Sequence, residues 1–190
     1  VRYRTIVADP PWEYDDGFGT TSHNAKTGRR WNAKRTPLPY PSMTVEQIAA
    51  LPVAEWADSD AFLFLWTTNR YLPQAFRIVD SWGFRYRQTI VWRKTGDGGG
   101  SLPAAVAPVH NEFLLVAKVG SPKRGECLPS SVIDAPRGRR HSTKPELFLD
   151  LIERVSPAPR VELFARRQRL GWDTYGNEAL EHIKIEAAGG

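Results

Sequence analysis

The chain has 190 residues, 41% of them hydrophobic and 25% charged, proportions that argue against disorder and suit one compact domain. Its one cysteine, Cys127, excludes an internal disulfide framework and a multi-cysteine metal site, and the four histidines, His23, His110, His141 and His182, stand at no metal-ligand spacing. A net charge of +5 with a pI near 9.5 suits a polyanionic partner.

The lone cysteine makes a reducing cytoplasm the expected setting. No apolar run approaches the roughly 18 residues that span a bilayer. Val1-Arg2-Tyr3-Arg4 does not read as a signal peptide. The first residue is not Met, which points to an unusual start codon or to a preceding piece of chain.

Residues 4–8 read as a short buried strand, halted by Asp9-Pro10-Pro11-Trp12, because two prolines cannot continue a ladder. A long polar loop is expected from Glu13 to about Pro41; loops of that length in compact domains serve function or are disordered. Thr44 and Gln47 have capping-box spacing, so a short helix should run to about Ala50. The apolar run 61–66 fits a strand covered on both faces, as in a parallel sheet. Leu72, Ala75, Phe76 and Val79 repeat at helical spacing, with Gly83 as a C-cap.

A strand should follow over 84–92. The glycine-rich segment after Lys94 is either a lid beside a substrate or a plain connection. Further strands are expected at 111–117 and 131–134, and a helix from Pro145, a favoured first helical residue. A last strand covers 160–164. The chain therefore reads as one domain over 1–178 with a frayed tail over 179–190. Alternating strands and helices indicate an α/β sheet with helices on its faces. Ligands in such sheets sit beyond the carboxyl ends of strands, which selects Asp9–Trp12 and the segment from Ala165 onward.

In Asp9-Pro10-Pro11-Trp12 the prolines stiffen the backbone and remove donors. A ligand would meet two acceptors, the Asp9 carboxylate and the Pro10 carbonyl, which suit a group with two N–H donors such as the exocyclic amine of adenine. Trp12 offers a stacking face for a flipped base. No covalent nucleophile is needed. Asp-Pro-Pro-aromatic arises by chance in a chain of this length on the order of a few times in a thousand.

Several further motifs follow in order: Leu38-Pro39-Tyr40, Phe62 to Trp66, Trp82-Gly83-Phe84, Val91 to Thr95, Lys144-Pro145, Glu162 to Arg166, Gly171-Trp172-Asp173 and Gly176-Asn177-Glu178. Together they make the chain resemble, over nearly its whole length, the catalytic-subunit family of the mRNA N6-adenosine methyltransferase with its bacterial and phage relatives. The resemblance implies a Rossmann-like methyltransferase fold that is circularly permuted, the catalytic half preceding the half that binds S-adenosylmethionine. It implies that the tetrapeptide holds the target adenine and the reactive end of the cofactor. It further implies that Lys144 meets the methionine carboxylate, and that Glu162, Arg166, Asn177 and Glu178 line the ribose, adenine and amino-acid portions. The stretch 15–36 is longer than in the eukaryotic enzyme, and there is no Gly-x-Gly-x-x-Gly loop.

Lys26, Arg29, Arg30, Lys34 and Arg35 surround Trp31 in the first loop, a mixture suited to a phosphate backbone and a stacked base. Arg137, Arg139 and Arg140, and Arg166, Arg167 and Arg169, form two further clusters that together suit phosphates. The expected function is therefore methylation of adenine N6 in nucleic acid, DNA favoured, by a protein that acts as a homodimer or with a partner subunit. The alternatives are the same reaction on RNA, a non-catalytic binding subunit of the same fold, and methylation of a small molecule or protein side chain. The intact tetrapeptide argues against the second and the basic clusters against the third.

Overall fold

The computed structural model describes residues 1–13, 22–23, 30–31, 42–96, 108–137 and 144–176. Tyr3–Ala8 forms β1, and Ser22–His23 and Arg30–Trp31 form β2 and β3, a small antiparallel pair inside the stretch expected to be only loop. The helix α1, Val45–Ala49, begins at the expected capping box, with Thr44 and Gln47 bonded reciprocally. A short helix α2, Val53–Trp56, runs directly into β4, Ala57–Thr67. The helix α3, Leu72–Ser81, ends before Gly83, whose φ of 78° is the left-handed conformation glycine accepts readily.

The strand β5 covers Arg85–Thr95 and β6 covers Asn111–Val119. They are followed by β7, Val132–Pro136, and α4, Glu146–Val155. Pro145 is the N-cap of α4, with ψ 136°, and not its first helical residue as the sequence suggests. The strand β8, Arg160–Leu163, stops one residue short of expectation because Phe164 turns to φ 64°. A strand with no strong sequence signal, β9, Asp173–Tyr175, follows. The segment 179–190 lies outside the described residues, as do Gly98, Gly99 and Gly100.

Seven strands make one sheet in the order β7-β5-β6-β4-β1-β8-β9. β6 runs antiparallel to both neighbours, and every other pairing is parallel. The carboxyl ends of β1, β4, β5, β7, β8 and β9 therefore share one edge, where the amino end of β6 joins them.

Strand alternation divides the core in two. Ile6, Ala8, Leu63, Leu65, Leu115 and Val161 pack on the side of Ile48, Val53, Ile78 and Trp82, from the helical region α1–α3. Val7, Phe64, Trp66, Trp92 and Leu114 pack on the other side, against Phe148, Leu149 and Ile152 of α4. The run 61–66 is thus covered on both faces, as its continuous hydrophobicity implied, although β4 is parallel to β1 and antiparallel to β6. A layered mixed α/β sheet of this kind fits a methyltransferase fold. No helix among the described residues is long and apolar enough to cross a membrane.

Candidate active site

β1 is the fifth strand of the seven, between β4 and β8, and the tetrapeptide follows it at the shared carboxyl edge. The backbone of the turn is tied down on both sides. The Asp9 N–H donates to Leu163 O at 3.4 Å, the Trp12 N–H to Pro10 O at 2.9 Å and the Met43 N–H to Pro11 O at 2.8 Å. The Pro10 carbonyl keeps a second lone pair, since a carbonyl oxygen accepts twice. The turn is rigid because two of its four residues are proline and because Trp12 forms a bridge to Met43.

Trp12 is 4% exposed and stacks on Tyr71, ring centres 4.8 Å apart and planes 12° from parallel. One face of the indole is thereby taken by the protein itself, and the ring props the turn from the α1–α3 side of the sheet.

The Asp9 carboxylate is 15% exposed and meets the ammonium of Lys144, which donates to its two oxygens at 2.7 and 2.8 Å. Lys144 stands just before α4 and also lies 3.4 Å from Glu112 Oε2. The other oxygen of Glu112 accepts from Lys94. Four charges of alternating sign thus form a row: Asp9, Lys144, Glu112 and Lys94. Burial works against the Lys144 ammonium, but Asp9 and Glu112 outweigh it and raise its pKa above the ordinary lysine value. Burial likewise works against the Glu112 carboxylate, yet Lys144 and Lys94 hold it below the usual glutamate range.

Glu162 lies on β8 opposite Val7 of β1. Its Oε2 is buried and has no hydrogen-bond partner among the described residues. Burial first, and then the charge of Asp9, push its pKa from 4.5 up to about 7. An orphaned buried acceptor at a carboxyl edge fits a ligand with hydroxyl or amino donors.

After β8 the chain passes through Phe164, a non-glycine residue in the left-handed region. The N–H groups of Phe164 and Ala165 both donate to Tyr175 O. Gly176 packs so closely that an added Cβ would lie 2.6 Å from Ala165 O and 2.7 Å from Ala165 N. This brings Arg166 and the residue preceding Asn177 to the same corner of the sheet. Asn177 and Glu178 themselves lie outside the described residues.

Arg169 and Arg167 depart from the expected phosphate track. The Arg169 guanidinium bonds to Glu153 at 2.7 Å, Asp150 at 2.6 Å and Glu146 at 3.1 Å, and Arg167 pairs with Glu146. Both strap the segment after β8 onto α4. Of the first-loop residues, Arg30 and Trp31 are described only as the backbone of β3. Lys26, Arg29, Lys34 and Arg35 lie outside the described residues, as do Arg139 and Arg140. Lys94 and Glu112 were missed as site residues. The one signal for Glu112 was an acid near the start of an otherwise apolar strand. Among the described residues no cluster of side chains could hold a metal ion.

A family model described as MT-A70 matches residues 3–178. The chain belongs to the MT-A70 family. It is 32% identical over 194 residues to the Type II methyltransferase M.MunI of Mycoplasma sp, covering 97% of this chain and 81% of that protein. It is 29% identical over 189 residues to the N(6)-adenosine-methyltransferase catalytic subunit METTL3 of Homo sapiens, covering 93% of this chain and 28% of that one. To the N(6)-adenine-specific methyltransferase METTL4 of Mus musculus it is 26% identical, over 38% of that protein's length. The MT-A70 match thus spans the tetrapeptide, the charge row and both sides of the corner after β8, while the chain covers well under half of these eukaryotic relatives.

Proposed function

We propose that this chain is an S-adenosylmethionine-dependent methyltransferase acting on the N6 amino group of adenine in nucleic acid, with DNA favoured. The observation that carries the reading is the Asp9 carboxylate, fixed beyond β1 on a Pro-Pro turn beside the largely buried Lys144, in a chain of the MT-A70 family. DNA is favoured by the likeness to the Type II methyltransferase, the relative named above that is matched over most of its length. The likeness to an N(6)-adenosine-methyltransferase supports RNA as the second reading. The exposed free Cys127 is in keeping with a reducing compartment such as the cytoplasm.

When bound, S-adenosylmethionine supplies an electrophilic methyl group on sulfur. Lys144 meets its carboxylate. Glu162, with its unpartnered oxygen, and Arg166, Asn177 and Glu178 receive its ribose, adenine and amino-acid groups. The Asp9 carboxylate and the free lone pair of the Pro10 carbonyl accept the two hydrogens of the adenine amine. They fix the nitrogen and keep its electron density available, and Asp9 takes the proton that the nitrogen sheds. Pro11 and Trp12 hold the turn, Trp12 through Tyr71. Lys26, Arg29, Arg30, Trp31, Lys34 and Arg35 follow the nucleic-acid strand.

The fold is a circularly permuted one, in which β1 with the catalytic turn comes first and the β8–β9 half that receives the cofactor comes last. Residues 1–178 act as one domain followed by a tail over 179–190, and the domain works as a homodimer or beside a partner subunit. The test is transfer from tritiated S-adenosylmethionine to single-stranded and duplex DNA and RNA oligonucleotides, read by nucleoside digestion and mass detection. N6-methyladenine in DNA is the expected product. Label in RNA alone selects the second reading, and cofactor binding without label in any oligonucleotide overturns the catalytic assignment.

A further inference from the structure

Lys94 is the last member of the charge row and the one farthest from Asp9 along it. It is the tenth residue of β5, and its backbone N–H donates to His110 O at 2.8 Å, just before β6 begins. Trp92 faces Glu112 across the β5–β6 ladder, so Lys94, two residues on, is diagonal to Glu112 on the same face. The Lys94 ammonium lies 4.9 Å from the centre of the Trp92 ring. The Lys144 ammonium lies 5.4 Å from the centre of Trp66, and the two indoles meet edge to face at 6.2 Å. Two lysines, each over a tryptophan, thus stand on either side of one carboxylate.

The side chains of Lys94 and Glu112 are only 16% and 14% exposed, so little water screens them. The row sums to zero: two ammoniums, two carboxylates. Lys144 is shared unequally, at 2.7 Å from Asp9 and 3.4 Å from Glu112. Glu112 already has a partner in Lys94. Without Lys94, the full charge of Glu112 would fall on Lys144 alone. The site would carry one net negative charge at the place where a ligand carboxylate must arrive.

We propose that Lys94 is a positioning residue for cofactor binding. By neutralising Glu112, it leaves the Lys144 ammonium directed to Asp9 and available to an incoming carboxylate. The inference rests on the reading of Lys144 as the cofactor's carboxylate partner. It gives a residue at the end of β5, on the far side of Glu112 from Lys144, control over affinity.

The experiment is calorimetric titration of S-adenosylmethionine and S-adenosylhomocysteine into wild type, Lys94→Met, Lys94→Arg and the double variant Lys94→Met/Glu112→Gln, with thermal melts on each. Lys94→Met weakens both ligands about tenfold, or about 1.4 kcal/mol. Lys94→Arg, which keeps the charge, stays within about threefold of wild type. The double variant buries no unpaired charge and also returns to within about threefold, a recovery that loss of packing at Lys94 would not give. If wild type binds and Lys94→Met binds equally well, the inference falls. It falls equally if the double variant remains tenfold weak, a result that stands even should Lys94→Met alone fail to fold. If wild type binds neither ligand, the cofactor reading itself falls and takes the inference with it.

Discussion

The ammonium of Lys144 donates to both oxygens of Asp9, at 2.7 and 2.8 Å, across 135 residues of sequence. The same carboxylate is the proposed acceptor for the adenine amine. On that proposal Lys144 would yield at least part of Asp9 when substrate arrives, and a cofactor carboxylate competing for the ammonium would make that possible. The shared contact then predicts that cofactor binds before nucleic acid, an order that product-inhibition kinetics would check.

Replacing Asp9 by Ala removes the acceptor while leaving Lys144 paired with Glu112. Methyl transfer should fall by at least about a hundredfold, the scale seen when one aimed polar contact to a reacting centre is lost. The cofactor dissociation constant should move much less. Transfer rates beside calorimetric binding check this, and full activity in the variant would refute the role of Asp9.

Lys144→Ala has the opposite profile. It leaves two nearly buried carboxylates without their shared cation, so stability should drop by about 3–5 kcal/mol. Affinity for S-adenosylmethionine should fall with it. Lys144→Arg should recover more of the stability than of the affinity, since a planar guanidinium does not reproduce a point charge. Denaturant melts and calorimetry on the two variants separate these effects.

The pH dependence turns on Glu162, whose pKa is lifted from 4.5 to about 7 by burial and by Asp9. Between those values the folded chain holds a proton that the unfolded chain has released, so the contribution of Glu162 to stability declines as pH rises from about 4.5 to about 7. Glu162→Gln should flatten that slope and raise the melting temperature at pH 8 relative to wild type. Melting temperatures across pH 5 to about 8 give the answer, with parallel curves for the two proteins as the contrary result.

Gly176→Ala tests the corner after β8. Its new Cβ would fall within 2.6–2.9 Å of backbone atoms of Phe164 and Ala165, atoms that cannot move aside as a flexible side chain would. A loss of about 1–3 kcal/mol is expected from overpacking, together with weaker cofactor binding because Arg166 and Asn177 flank the displaced backbone. Equal stability and affinity in the variant would show that the corner is looser than described.

β1 and the 61–66 core of β4 were legible because they are covered on both faces and so read as unbroken apolar runs. The capping box of α1 and Gly83 after α3 were legible because their chemistry is local. What escaped was set by partners distant in sequence. β9 has three residues and exists because β8 offers it an edge. Arg167 and Arg169 read as a basic cluster, yet three carboxylates spaced along α4 claim them, a helical periodicity visible only once α4 is laid against the loop. Glu112 and Lys94 gain meaning only from the β5–β6 register. The turn after β1 was legible, since two prolines cannot continue a ladder, but the burial of Trp12 against Tyr71 was not, because the stacking partner is 59 residues away.

The order of the sheet also constrains how the chain is made. β1 precedes both of its neighbours in the chain, β4 and β8, and β8 begins only at Arg160. Until Arg160 has been synthesised, one side of an almost wholly buried strand has no mate and presents unpaired backbone to any passing chain. A nascent chain stalled or cut before Arg160 would thus be sticky, and the Pro10-Pro11 turn would sit beside that open edge throughout the wait.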